Sequence, residues 1–207
     1  LLYNSSFPVF ENQPFLKEAK EFILMDVGVH VLDAARYLFG EPATLHCHLH
    51  TVNPEINGED AATLFMRMES GITVSVELSY ASRWSGEAFP QTFCIVEGKD
   101  CSVELLRDWR IRSTTKSGIQ EETFSPVSYS WIDPAYDVVH SSIVDCQRNL
   151  LAGIEDPSLA ETTAADNIKT LRIVRAAYHS ARKGLIVDNP GETWPAMSKR
   201  SASNGGG

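Results

Sequence analysis

Apolar and polar residues alternate with a period of two between residues 44 and 124, and this pattern predicts β-strands. The predicted strands are Thr44–Thr51, Asp60–Met68, Thr73–Tyr80, Gln91–Glu97, Ser102–Leu106, Trp109–Ser113 and Gln120–Phe124. Short turn signals such as Glu69-Ser70-Gly71 and Ser117-Gly118 separate the strands. Strands joined by such short turns indicate an antiparallel sheet rather than βαβ units.

Three segments have the longer period of a helix. The first runs from about Leu24 to Phe39 and ends at Gly40, with Pro42 beyond it as a stop signal. The second opens at Asp133-Pro134, where aspartate is the expected N-cap and proline occupies the first helical position. Its apolar stripe consists of Val139, Ile143, Cys146 and Leu150.

The third helix begins near Thr163, where Asp166 three residues later resembles a capping box, and it ends at Gly184. Residues 185–187 could add a last edge strand. These elements predict an α+β fold in which a largely antiparallel open sheet of about seven strands has helices on one face. We expect an irregular lead-in over residues 1–22 that is the remnant of a truncated N-terminal part, one domain over 23–190, and a flexible tail over 191–207.

The composition of 207 residues, 43% of them hydrophobic, is that of an ordinary globular protein. A formal net charge of −9 argues against nucleic acid or an anionic membrane as a partner, because both require a basic face. Four scattered cysteines, without C-x-x-C spacing, favour a reducing, cytoplasmic setting, and no disulfide is predicted. The sequence contains no G-x-G-x-x-G motif, so it is not expected to hold a dinucleotide by itself.

The strongest candidate for chemistry is the first helix, which places Asp26, His30 and Asp33 at positions i, i+4 and i+7. A carboxylate one turn before an imidazole can orient the ring and raise its proton affinity, as a general acid/base requires. The alternative is a polar stripe that simply faces water. The surrounding residues are apolar nearly all round the helix, which favours polar side chains that line a cavity or are paired.

Two further groups of residues have a functional and a structural interpretation. Arg83 and Trp84, in a loop after the third predicted strand, could contact a polyol or pack against another domain. His46, His48 and His50 share one face of a strand, but the outer two are about 13 Å apart at roughly 3.3 Å per residue, so no metal site is predicted. The polar face of the sheet is a candidate subunit interface.

The segment Met25–Gly40 resembles the start of the second domain of the glucose-fructose oxidoreductase / inositol dehydrogenase / MocA (Gfo/Idh/MocA) family, whose members share a D-x-x-x-H helix. The resemblance extends through Gly58–Ala62 leading into a strand, the hairpin at Ile95–Gly98, and Asp166-Asn167 through Gly184. It implies a substrate and oligomerisation domain of an NAD(P)-dependent dehydrogenase acting on a sugar, cyclitol or related polyol.

By this resemblance, His30 takes the proton from the substrate hydroxyl, Asp26 orients the imidazole, and Asp33 binds a substrate hydroxyl, with Arg83 and Trp84 as further substrate contacts. The sequence departs from the family in lacking the Rossmann half and the lysine beside the dyad. We therefore expect NAD or NADP to be bound mainly by a domain absent here, and this chain alone to be inactive. The alternative is a non-catalytic α+β module for dimerisation or small-ligand binding.

Overall fold

The computed structural model describes residues 1–4, 9–83 and 92–192. The strands within them form one open sheet in the order β8-β7-β6-β5-β1-β4-β3-β2-β9. The strands are β1 (Leu2–Asn4), β2 (Pro42–His50), β3 (Ala61–Met68), β4 (Thr73–Ser79), β5 (Thr92–Glu97), β6 (Cys101–Leu105), β7 (Arg110–Thr115), β8 (Gly118–Thr123) and β9 (Val187–Asp188). All neighbouring pairs are antiparallel except β1 and β4, which are parallel.

The seven strands predicted from the period of two are all present, with ends displaced by two residues or fewer. The alternation also predicts which side chains face the core. In β4, Val74, Val76 and Leu78 are at most 5% exposed, whereas Thr73, Ser75 and Glu77 face the open side of the sheet. The predicted fold class is thus confirmed; β9 lies at the edge of the sheet, where residues 185–187 could add a strand, and β1 is an additional strand.

The extra central strand, β1, comes from the segment predicted to be irregular. Its three residues lie between β4 and β5, so these two strands are not neighbours as a simple meander requires. A segment this short has too few residues for a period of two to be visible, which is why no strand is predicted there. Between β1 and the first long helix the segment also contains a short helix, α1 (Val9–Asn12), and a 3₁₀ turn at Pro14–Glu18.

Two helices, α2 (Val29–Phe39) and α4 (Ala164–Lys183), supply the helical layer of the core. They pack against each other, and α4 also contacts β2. The core combines their buried side chains with those of β2, β3 and β4. Thr163 caps α4 as predicted, because its side chain accepts a hydrogen bond from the Asp166 amide at 3.2 Å.

The remaining long helix, α3 (Asp137–Glu155), follows a 3₁₀ turn that Asp133 caps as predicted. None of its 19 residues is buried. The apolar stripe is present, yet Val139, Ile143 and Leu150 are 41–57% exposed. The helix predicted from the sequence is therefore confirmed as a helix but adds nothing to the core.

Two further properties concern the whole chain. The four cysteines, among them the buried Cys47, are free, as predicted. None of the described helices combines the length and the apolar character that crossing a bilayer requires.

Candidate active site

The site predicted from the sequence begins in an unusual turn of helix. Residues Leu24–Gly28 form a π-helical turn that leads directly into α2, where an uninterrupted α-helix was predicted. Single π turns inside helices are frequent at functional sites. A Cβ at Gly28 would lie 3.1 Å from Leu78 Cδ1 and 3.2 Å from the Ile23 carbonyl oxygen, closer than most Cβ contacts, so close packing within the chain favours glycine there.

A buried carboxylate holds the beginning of this turn. Glu59, 6% exposed, accepts hydrogen bonds from the Phe22 amide at 3.0 Å and the Leu24 amide at 3.5 Å. The Tyr178 hydroxyl donates to the same oxygen at 2.6 Å. Burial and this hydrogen bond raise the pKa of Tyr178. Glu59 thereby satisfies amides at the helix start that would otherwise lack partners.

Asp26 lies within the π turn and is oriented by a tyrosine from the sheet. The Tyr80 hydroxyl, just after β4, donates to Asp26 Oδ2 at 2.7 Å. The Tyr80 ring stacks on Phe22 with centroids 5.4 Å apart and meets Tyr3 edge-on at 5.8 Å. Burial, followed by the hydrogen bond to Asp26, raises the pKa of Tyr80, so this phenol stays protonated and remains a donor.

His30 lies in the first turn of α2 and is exposed to solvent. Within the described part of the chain, no hydrogen bond joins it to Asp26 or to any other residue. The sequence argument placed the two side chains one α-helical turn apart, but Asp26 belongs to the wider π turn, in which backbone pairing is i to i+5. The predicted orienting role of Asp26 therefore remains a prediction, and the geometry adds Tyr80 as its partner.

Asp33, the third predicted residue, belongs to a network around a buried arginine. Its Oδ1 accepts from Thr170 Oγ1 at 2.6 Å and from the Arg36 guanidinium at 3.4 Å. The same guanidinium donates twice to Glu41, at 2.7 and 2.9 Å, and to Asp166 at 2.9 Å. Asp33 retains 49% exposure of its side chain, so it is shared between this network and solvent.

In this network, the buried guanidinium of Arg36 is surrounded by carboxylates. The Arg36 side chain is 7% exposed, and its hydrogen bonds to Glu41 and Asp166 raise its pKa despite burial. The hydrogen bonds from Arg36 lower the pKa of the Glu41 and Asp166 carboxyls. This group ties α2 to the beginning of α4 and thereby fixes the helix that carries His30.

The remaining predicted contacts lie at the border of the described structure. Arg83 is exposed, three residues beyond Tyr80. Trp84 lies outside the described residues. On the open face of the sheet, the rings of His46 and His48 meet edge-on with centroids 4.8 Å apart. Among residues 1–4, 9–83 and 92–192, no group of three or more His, Cys, Asp or Glu side chains is arranged to hold a metal ion.

Three residues of the site were missed from the sequence. Tyr80 was read only as a strand end and loop residue, and Glu59 only as part of a match leading into a strand. Arg36 was not singled out because a lone arginine on a helix is usually solvated. The sequence signal they share is a polar side chain beside apolar neighbours, but each has a partner far along the chain: Phe22 for Glu59, Asp26 for Tyr80 and Asp166 for Arg36 are 37, 54 and 130 residues away.

Comparison with known proteins supports the family resemblance. Residues 3–104 match the family described as GFO/IDH/MocA C-terminal domain. The chain is 37% identical over 203 residues to D-apiose dehydrogenase of Paraburkholderia graminis, covering 98% of this chain and 54% of that protein. It is 36% identical over 186 residues to D-apiose dehydrogenase of Rhizobium rhizogenes, covering 90% of this chain and 54% of the relative. The chain thus spans about half the length of these curated relatives.

Solved structures agree with this result. An oxidoreductase from Agrobacterium radiobacter, in complex with NAD⁺, L-tartaric acid and magnesium, superposes with a TM-score of 0.85 at 35% identity, covering 90% of this chain and 55% of that one. Levoglucosan dehydrogenase, in complex with NADH and levoglucosan, gives a TM-score of 0.69 at 19% identity over 92% of this chain and 57% of its own, which shows a shared fold. Together with the domain match, these similarities establish that the chain carries the C-terminal α+β domain of the Gfo/Idh/MocA oxidoreductase family.

Proposed function

We propose that this chain is the substrate-binding and catalytic half of an NAD(P)-dependent dehydrogenase that oxidises a sugar, cyclitol or related polyol. The observation that carries the proposal is the 37% identity to a D-apiose dehydrogenase over 98% of the chain. The geometry supports it, because the helix that bears His30 is anchored at both ends by buried polar networks while His30 itself is exposed.

In this proposal His30 is the general acid/base. It accepts the proton of the substrate hydroxyl as hydride leaves the adjacent carbon, a task suited to a neutral imidazole near physiological pH. Asp26, held by Tyr80, is the carboxylate next to it. Among the described residues, its second oxygen, Oδ1, makes no hydrogen bond, so it is able to accept one from an imidazole N–H. Asp33, Arg83 and Trp84 contact the substrate.

NAD or NADP, held by another domain, would supply the hydride acceptor. This chain lacks the glycine-rich turn that cradles a pyrophosphate, so its residues do not fit the dinucleotide, and most of the binding must come from another domain. The chain's own contribution is the exposed helix face with His30, which would be covered when that domain closes over it. By itself the chain is expected to be inactive.

The test is an assay of the longer protein from which the chain derives, with NAD and NADP against a panel of sugars and cyclitols that includes D-apiose and levoglucosan. We expect reduction of the nicotinamide with at least one of these substrates. His30→Ala should lower kcat by about 10²–10⁴-fold, the usual contribution of a general acid/base. His50→Ala, an exposed histidine on β2, is the matched control and should retain turnover.

The alternative function, a non-catalytic module for dimerisation or small-ligand binding, makes the opposite prediction. If the longer protein carries no nucleotide-binding domain, or if His30→Ala retains normal turnover, the catalytic role is wrong. Asp26→Asn tests the role of Asp26 separately from that of His30. It should lower kcat less than His30→Ala does. It should also shift the pH profile of kcat, because it removes the charge beside the imidazole.

We also propose that the protein is cytoplasmic and forms a homo-oligomer through the open face of the sheet. On that face Phe65 and Ile95 are 57% and 64% exposed, and large exposed apolar side chains are what an interface would cover. Light scattering should give a mass above that of one chain, and Phe65→Glu should reduce it. A monomer at micromolar concentration would contradict this proposal.

A further inference from the structure

The carboxylate proposed to orient His30 is itself oriented by a side chain from the end of the sheet. The Tyr80 hydroxyl donates to Asp26 Oδ2 at 2.7 Å, across 54 residues of sequence. An ionised carboxylate can only accept hydrogen bonds, so a donor that is held in place restricts how the carboxylate turns. How firmly Asp26 is placed therefore depends on how firmly Tyr80 is held.

The Tyr80 ring is held by aromatic neighbours on two sides. It stacks on Phe22 with an interplanar angle of 14° and meets Tyr3 at 80°. Both neighbours are buried, at 1% and 4% exposure. The titratable groups that act on the Tyr80 phenol are Asp26 and Tyr3, and hydrogen bonds with both add to burial in raising its pKa. The hydroxyl is therefore a fixed donor at every pH at which the protein is folded.

The backbone on both sides of this contact is tied to one dipeptide. The Ile23 amide, at the start of the π turn, donates to the Glu59 carbonyl at 3.1 Å. The Tyr80 amide donates to the next carbonyl, that of Asp60, at 2.8 Å. Glu59 and Asp60 are themselves only 6% and 1% exposed. The turn that carries Asp26 and the residue that bonds it are thus parts of one rigid frame.

The π turn gives such a frame a purpose. Asp26 lies in the wide turn at Leu24–Gly28, whereas His30 lies in the α-helix that follows. The regular i to i+4 stacking of an α-helix therefore does not by itself align the carboxylate with the imidazole. A donor outside the helix can supply the orientation that the helix does not.

We propose that Tyr80 is a positioning residue for the reaction: its hydroxyl holds the Asp26 carboxylate so that the other oxygen is directed to the His30 imidazole. This inference rests on the proposed function of Asp26 and His30. Tyr80 acts through Asp26 in this role and needs no contact with substrate or cofactor. The competing interpretation is structural, in which Asp26 serves only as the acceptor that a half-buried phenol requires.

The two interpretations differ in what the loss of one oxygen atom does to turnover. Tyr80→Phe keeps the packed ring and removes the donor. In the longer protein it should lower kcat by about 10–100-fold, the equivalent of one hydrogen bond to a charged group, with little change in KM. The loss should not exceed that of Asp26→Asn. Tyr37→Phe, at a tyrosine that is 89% exposed, is the matched control and should retain kcat.

Two further readouts separate positioning from a general loss of stability. The acidic limb of the pH profile of kcat should move to lower pH in Tyr80→Phe, in the same direction as in Asp26→Asn and by less, because the carboxylate charge is less often beside the imidazole. In the Asp26→Asn background, Tyr80→Phe should lower kcat no further, since the residue through which it acts is already neutral.

The contact itself can be measured in this chain without substrate or cofactor. The ¹³C resonance of the Tyr80 ring carbon that bears the hydroxyl reports on its hydrogen bond. Asp26→Asn should move this resonance, because the acceptor loses its charge. Asp33→Asn, a substitution of the same kind further along the helix, should leave it in place.

Three results would overturn the proposal. One is a Tyr80 resonance that does not respond to Asp26→Asn, because the bond would then be absent in solution. Another is a longer protein that His30→Ala inactivates but Tyr80→Phe leaves with the wild-type kcat and pH profile. The third is a double variant whose loss is the product of the two single losses. Normal turnover in His30→Ala would instead refute the proposed function, and the positioning role with it, whatever the resonance shows.

Discussion

In β3, the four inward residues Ala62, Leu64, Met66 and Met68 are at most 2% exposed, whereas among the described residues of β5–β8 none is buried. The contrast extends beyond the sheet, because no described residue from Ser79 to Lys169 is buried. Both regions have the same period of two and the same turn signals. The difference is that α2 and α4 cover the first region, while none of the described elements forms a comparable layer over the second.

This comparison separates two requirements for a stable sheet. Alternation is enough to choose the strand conformation and the register of a hairpin. Stability requires in addition that the apolar face be removed from water, which depends on a second layer. The outer region, comprising β5–β8 and α3, therefore leaves a long series of apolar side chains exposed, among them Ile95, Ile119, Ile143, Leu150 and Leu151. Such surface is typical of an interface.

The largest expected effect is a difference in stability between two variants, each with one leucine truncated to alanine, one in each region. Leu64→Ala should lower the free energy of unfolding by about 2–5 kcal/mol, because Leu64 is fully buried and its removal leaves a cavity. Leu150→Ala on α3 should change it by about 0.5 kcal/mol or less, since Leu150 is 57% exposed. Denaturant titration of both variants measures this difference. Similar losses in the two variants would mean that the outer region has a core of its own.

The second prediction concerns the arginine network of the buried region. Arg36→Met should destabilise the chain by about 2–4 kcal/mol near neutral pH, because the Glu41, Asp166 and Asp33 carboxylates lose the guanidinium between them. Arg112→Met, which removes a pair of exposed bridges on β7, should cause no measurable change. Chemical denaturation at pH 7 compares the two substitutions.

The pH dependence of the same network has a defined sign. Hydrogen bonding to Arg36 lowers the folded-state pKa of the Glu41 and Asp166 carboxyls from usual values of 4.5 and 3.8. Their contribution is therefore fully present above those values and is lost as the pH falls through the lower folded pKa values. The stability difference between wild type and Arg36→Met should shrink as the pH falls from 6 towards 3. A difference that grows on acidification would contradict this assignment.

A smaller effect is expected from the buried carboxylate at the helix start. Glu59→Gln should lower stability by about 1–3 kcal/mol, because a neutral amide oxygen accepts the hydrogen bonds from the Phe22 and Leu24 amides and the Tyr178 hydroxyl more weakly than a carboxylate oxygen does. Glu155→Gln, on the exposed end of α3, is the control and should leave stability unchanged. Unfolding curves for both variants distinguish a carboxylate that organises the π turn from one that merely lies near it.

The smallest effect compares two helix caps. Thr163→Ala should cost about 1 kcal/mol of global stability, because Thr163 caps α4, which is part of the core. Asp133→Ala, at the turn preceding α3, should increase hydrogen exchange in the first turn of α3 without moving the global transition, because that helix is not held by buried contacts. A common loss in both variants would indicate that the two helices unfold as one unit.

Local sequence determined the elements and their faces. The period of two located β2–β8 to within two residues, and the Thr163 and Asp133 caps marked the beginnings of their helices, because these signals depend on residues only a few positions apart. The D-x-x-x-H helix was likewise recognised from the spacing of Asp26 and His30 alone. The roles of these residues in substrate binding and catalysis remain predictions.

The tertiary structure determined which contacts these elements make with one another. The insertion of β1 between β4 and β5, the Tyr80 hydroxyl on Asp26 and the bond from Arg36 to Asp166 all join residues distant in sequence, so no local pattern encodes them. The wide turn at Leu24–Gly28 is a further case, because amides of the residues entering it, Phe22 and Leu24, are held by Glu59. Short-range periodicity selects a conformation, whereas burial and hydrogen-bond partners exist only once the chain is folded.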